Sequence, residues 1–199
     1  VDVRSFWRVT WGWGSLVLLI GACAATEAST VTGTVSGKRL RSSEGIVVSL
    51  EAPGLEVKPP KAPVRIDQKS FQFVPHVTAV VRGTTVRFLN SDPEQHNVYS
   101  PEGRYDLGTW PPGEWRDHVF DKEGAFTQLC KIHPDMLAYV VVLGTPYFAV
   151  ADKKGSFTIK DVPAGKYKLV AWSEKLDGLE QEIVVTDGQM LTLDLFIAQ

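Results

Sequence analysis

An all-β chain built from two sandwiches is the fold class this sequence predicts, and three observations predict it. After residue 30 no segment sustains a helical hydrophobic period over about ten residues. Short runs rich in β-branched and aromatic residues recur instead, separated by Gly, Pro, Asn and Asp turn signals. In the last third the alternation is strict: Phe157 with Ile159, Tyr167 with Leu169 and Ala171, and Leu191 with Leu193, Leu195 and Ile197 each fall on one face. A period of two marks antiparallel strands with one face buried.

Taken in order, the chain begins with an export pattern. Arg4 and Arg8 precede the apolar run 16–20, and the small residues 21–25 follow. Two processing routes fit residues 1–25. Ile20-Gly21-Ala22-Cys23 resembles a lipobox, which would make Cys23 a lipidated first residue and attach the protein to a membrane. Ala22-Cys23-Ala24 also fits ordinary signal cleavage. The uncharged stretch of 17 residues, 9–25, lies at the short limit for a bilayer span and keeps an uncleaved anchor open. Each route predicts a periplasmic or exported protein, free or anchored.

The first strand signals are 31–35 and 46–50. Residues 52–63 read as a Pro- and Gly-rich linker. Strands resume at 71–73, 77–81, 85–89, 117–120, 126–130 and 138–143. Lys153-Lys154-Gly155, Pro163-Ala164-Gly165 and Thr186-Asp187-Gly188 supply turns between the final strands. Trp110 and Trp115 are expected in the core, because Trp is mostly buried. A net charge of −2 without a basic cluster excludes an electrostatic nucleic-acid binder.

The chemistry concentrates between residues 90 and 136. Cys130, His133 and Met136 are spaced three apart in one loop between two predicted strands, and His96 sits beyond an earlier one. A Cys and two His with a weak axial Met form the ligand list of a blue-copper electron-transfer site. Each residue alone has an ordinary explanation: a buried Cys is a small hydrophobe, a single His a satisfied core or surface group, a Met core filler. The joint pattern is far more restrictive than its parts. Zinc fits less well, since structural zinc takes four Cys or His ligands and Met is not among them. On this reading Asp92, Glu94 and Asp135 are ordinary loop residues. His76 and His118 lie outside the pattern, with a minor allowance for a second metal role at His76.

These motifs carry a family resemblance. Residues 64–143 resemble a small cupredoxin of the plastocyanin/amicyanin type, through residues 83–90, then His96-Asn97-Val98, then 124–136. The two-residue gap between His133 and Met136 is similar to the short ligand loop of amicyanins. The resemblance implies one type 1 copper ion held by His96, Cys130, His133 and Met136. It also implies that Asn97 ties the two ligand loops together, an outer-shell role that fixes geometry. Residues 99–116 match the family only loosely.

The flanks are similar to a second family. Residues 31–50, 148–159 and 162–169 resemble a carboxypeptidase regulatory-like (transthyretin-type) sandwich. The full expectation is an all-β chain in which a cupredoxin Greek-key sandwich is inserted in, or followed by, a transthyretin-like sandwich. Its parts would be the signal (1–25), first strands of the regulatory-like sandwich (30–58), the cupredoxin (62–144) and the remaining strands (145–199). The alternative is a short N-terminal strand pair that joins the cupredoxin itself.

The resemblance further implies a non-enzymatic carrier of single electrons between redox partner proteins, a dehydrogenase or reductase on one side and a cytochrome or oxidase on the other. Storage or delivery of copper is the alternative, disfavoured by only two Met and four His. A multicopper oxidase is disfavoured because the chain has no His-x-His pair.

Overall fold

The computed structural model describes residues 28–198; the expected signal segment, with Arg4, Arg8 and Cys23, lies outside them. Among the described residues every regular element is a strand. Two open the chain, β1 (Ser29–Gly37) and β2 (Val47–Glu51). Nine follow: β3 (Val64–Lys69), β4 (Gln72–Val74), β5 (Val77–Val81), β6 (Thr84–Asn90), β7 (His96–Ser100), β8 (Tyr105–Trp110), β9 (Trp115–Phe120), β10 (Gly124–Leu129) and β11 (Leu137–Leu143). The last five are β12 (Phe148–Val150), β13 (Ser156–Val162), β14 (Gly165–Trp172), β15 (Leu179–Val185) and β16 (Met190–Ile197).

The strands form four sheets and two cores. Sheets β13-β1-β16 and β12-β2-β14-β15 enclose Val31, Leu50, Phe157, Leu169, Ile183 and Leu195. This outer sandwich takes its strands from both ends of the described chain. Sheets β5-β11-β10-β7-β8 and β4-β3-β6-β9 enclose Ile66, Phe88, Val98, Trp110 and Val140 and make the inner sandwich. The chain leaves the outer sandwich after β2 and returns beside the same point. Leu50 N–H donates to Tyr147 O at 2.9 Å, and Thr145 Oγ1 donates to Leu50 O at 2.7 Å.

The central strand of the three-stranded sheet explains one glycine. β1 pairs antiparallel with β13 and parallel with β16. A Cβ on Gly33 would stand 1.8 Å from Leu193 O, so only Gly permits this close approach.

The two sandwiches meet through Val47, Val77 and Val141, all buried, with the Tyr139 and Trp172 rings 5.4 Å apart. His76 adds a polar link: its Nδ1 lies 3.0 Å from Leu137 O and its Nε2 2.9 Å from Glu174 Oε2. Burial raises the Glu174 carboxyl, but bonds from His76 and Lys175 outweigh this and hold it below its ordinary value.

Some sequence expectations need correction. Phe71, read as a strand residue, is in the turn between β3 and β4. Trp110 is fully buried, but Trp115 is 49% exposed, with the Arg87 guanidinium 5.0 Å from its ring centroid. Trp115 begins a strand whose alternation turns it outward, and cation–π contact covers a ring that the core does not.

Candidate metal centre

Sheet order brings the donors together. β6 ends at Asn90, a short turn follows, and His96 is the first residue of β7. β10 ends at Leu129, immediately before Cys130, and Leu129 pairs with Tyr99 of β7. The loop of 130–136 therefore leaves the sheet next to the strand that begins with His96. Met136 N–H closes it onto His133 O at 3.0 Å.

His96, Cys130 and His133 offer ligand atoms that all lie within 4.8 Å of one another. The Nδ1 atoms of His96 and His133 are 3.0 Å apart, and Cys130 Sγ is 3.9 Å from His133 Nδ1. His96 is fully buried and Cys130 is 3% exposed, whereas His133 is half-buried. Met136 is 1% exposed and belongs to the same core cluster as Cys130. Cys130 is a free thiol.

Asn97 bridges the two ligand segments. Its backbone N–H points to Cys130 Sγ at 3.5 Å, and its side-chain Oδ1 accepts from Lys131 N–H at 3.3 Å. Its Nδ2 donates to Asp106 Oδ1 at 2.7 Å and to Gly108 O at 2.9 Å. Asp106 is thereby part of the brace, since its other oxygen binds Lys131 Nζ at 2.5 Å. Bonds from Lys131, Gly108 N–H and Asn97 hold the Asp106 carboxyl down at about 2.

Asp92 is the residue that sequence reasoning passed over. It is 5% exposed, not an open loop position. Its Oδ2 accepts from His96 Nε2 at 2.8 Å and from Phe71 N–H at 2.9 Å, while Oδ1 accepts from Ser70 N–H. Burial raises this carboxyl, but the bonds from Phe71, His96 and Ser70 outweigh it and keep it below its ordinary value. The signal available in the sequence was the spacing: an acid four residues before a His across a turn can reach the outer ring nitrogen. His76 and His118 stand apart from the cluster. His76 bridges the sandwiches as described above, and His118 stacks on Tyr105 with centroids 3.8 Å apart.

The donor set fits a metal ion. Asp92, ionised, accepts a hydrogen bond from Nε2–H of His96, a tautomer that leaves the Nδ1 lone pair facing the cluster. Two ring nitrogens 3.0 Å apart cannot both face each other with bare lone pairs, so either one Nδ1–H donates to the other or both turn their lone pairs to one metal ion. A thiol at the rim of the same space supplies a third donor, and soft sulfur with two imidazoles matches copper better than hard oxygen-loving ions.

Comparison with known proteins adds the following. The family described as Polysaccharide lyase family 4, domain II matches residues 142–193, from the end of β11 into β16. That description differs from the regulatory-like sandwich that the flanks led us to expect. No curated protein matches the chain. A purple cupredoxin from Nitrosopumilus maritimus overlays 40% of this chain and 99% of its own, at 24% identity and a TM-score of 0.37. Amicyanin from Paracoccus versutus overlays 42% of this chain and 84% of its own, at 18% identity and a TM-score of 0.37. The Cu-containing nitrite reductase from Thermus scotoductus shares 22% identity over 55% of this chain and 28% of its own, with a TM-score of 0.40. These are partial overlays, and the reading of the site stands on its own side chains.

Proposed function

We propose that this chain is an exported copper protein that carries single electrons between redox partners, with one ion held by His96, Cys130, His133 and Met136. The observation that carries the reading is the convergence of one thiol and two imidazoles, with ligand atoms within 4.8 Å of one another, at the start of β7 and in the loop after β10. Copper, when bound there, would supply a one-electron couple, since thiolate and thioether favour Cu(I) while imidazole suits both states.

The protein's part is to hold these groups still. Asp92 fixes the tautomer and tilt of His96. Asn97 directs its N–H at Cys130 Sγ and, through Lys131 N–H, fixes the start of the ligand loop. His133, half-buried, is the most exposed of the four proposed ligands and so the one through which an electron would pass. A brace of this kind resists rearrangement when charge changes, which suits electron transfer better than bond-making chemistry. The proposal is therefore a carrier, not an enzyme. The N-terminal sequence pattern supports export, with or without lipid on Cys23.

A Cu(II) titration of the full chain, followed by visible absorption and electron spin resonance, tests the reading. One equivalent should give an intense thiolate–copper band that mild reductant bleaches. Binding without that band would replace the carrier with copper storage or delivery, and no binding would overturn a copper role altogether.

A further inference from the structure

The turn between β3 and β4 holds a residue that neither packing nor the ligand set accounts for. β3 and β4 are joined by two residues only, since Lys69 pairs directly with Gln72. Both turn residues lie in the left-handed region, Ser70 at φ 55° and Phe71 at φ 57°. Two-residue hairpin loops of this kind call for Asn-Gly, Asp-Gly or Gly-Gly, and a bulky residue there is an outlier that points to a use. Asp92 holds the strained pair by accepting both turn N–H groups.

The use is visible in where the ring stands. The Phe71 ring stands nearly perpendicular to both candidate ligand rings, its centroid 5.8 Å from that of His96 at 81° and 5.0 Å from that of His133 at 77°. It remains 47% exposed, so it does not serve as core. Asp92 thus performs two tasks with one oxygen, orienting His96 and anchoring the residue that covers it.

We propose that Phe71 is a lid on the metal site, a specificity-determining residue that closes the outer side of the His96–His133 pair to water and small anions. The lid deepens the carrier reading and rests on it: electrons pass a packed ring, whereas a small-molecule ligand does not. An exchangeable coordination position, the requirement for substrate chemistry, is denied by the same ring.

The test uses the full chain with Phe71→Gly and Phe71→Leu. Gly adopts a positive φ without strain, so Phe71→Gly removes the ring while the melting temperature holds or rises. In metal-free protein, alkylation of Cys130 by iodoacetamide, read by peptide mass, should accelerate about tenfold in Phe71→Gly, with local access opened, and stay near wild type in Phe71→Leu. In Cu(II)-loaded protein, azide should perturb the spectrum of Phe71→Gly and leave wild type unchanged. Equal alkylation rates in wild type and Phe71→Gly overturn the lid. Faster alkylation with a lower melting temperature also overturns it, since Phe71 would then be merely structural. If wild type shows no thiolate–copper band but the alkylation difference persists, the copper reading fails while the lid over the imidazoles stands.

Discussion

The carboxylate of Asp92 lies 2.8 Å from Nε2 of a fully buried His96, four residues along the chain. This contact decides which ring nitrogen of His96 faces the cluster. Asp92→Ala should lower metal affinity by about 10- to 100-fold, the usual loss when the partner of a ligating His is removed. Isothermal titration of wild type and variant with Cu(II) measures it. The same variant leaves the Ser70 and Phe71 N–H groups without their acceptor, which should destabilise the metal-free protein by about 1–3 kcal/mol in urea melts.

Cys130→Ser should abolish the thiolate–copper band, whereas His76→Ala should retain it, because His76 bonds Leu137 and Glu174 and not the cluster. Visible spectra of the two copper-loaded variants decide this, and the opposite pattern would relocate the site.

Met136→Leu tests the fourth position. The swap conserves volume and should cost less than about 1.5 kcal/mol in a core where Met136 is 1% exposed. With Met136 as the weak fourth ligand proposed above, copper should stay bound while the reduction potential moves, because such a ligand would tune the couple more than hold the ion. Voltammetry reads the shift; complete loss of copper would show Met136 to be essential for holding the ion.

Asp106 gives a pH signature. Its folded carboxyl is held at about 2, against an ordinary 3.8. A depressed carboxyl stabilises the fold fully above its unfolded value and loses that contribution as pH falls through the folded one. The stability gap between metal-free wild type and Asp106→Ala should therefore be constant above pH 3.8 and narrow toward about pH 2. Urea melts at a series of pH values follow it. A gap that widened on acidification would reverse the sign and remove Asp106 from the brace.

Leu169→Ala probes the other core. Leu169 is fully buried in the outer sandwich, and truncation there should cost about 2–5 kcal/mol. The thiolate–copper band of the folded variant should be unchanged, since Cys130 and Met136 belong to the inner core and His96 and His133 cluster with Cys130.

Much of the fold was legible because one face of most strands is apolar. β5 falls at the residues its Val-rich run marked out, and the three faces read in the last third all turn inward. β3 was not legible: Gln68, fully buried, holds an inward position, and Arg65, Asp67 and Lys69 alternate with the others, so composition reads as a polar loop. β8 was hidden for a similar reason, with Gly108 and Asp106 interrupting its run.

At the site, residue types and spacing pointed to His96, Cys130 and His133, which sit together in space. They could not reveal Phe71, since its proximity depends on a hairpin from a different sheet. For Asp92 only the four-residue spacing to His96 was legible; its burial and its bonds to the Ser70 and Phe71 N–H groups were not.

The position of β1 and β2 has a consequence for the order in which the molecule assembles. β1 must pair with β16 across a separation of 160 residues, and β2 with β12 and β14, while every partner of β3 to β11 lies inside that block. As the chain is synthesised, β1 and β2 have no sheet partners until β12 to β16 follow, whereas the block between β2 and β12 can pair within itself. Pairing across long separations is slow, and unpaired strand edges invite wrong partners. The block that holds the candidate metal centre can thus close while its host is still open, and the Leu50–Tyr147 contact at its base sets β12 alongside β2.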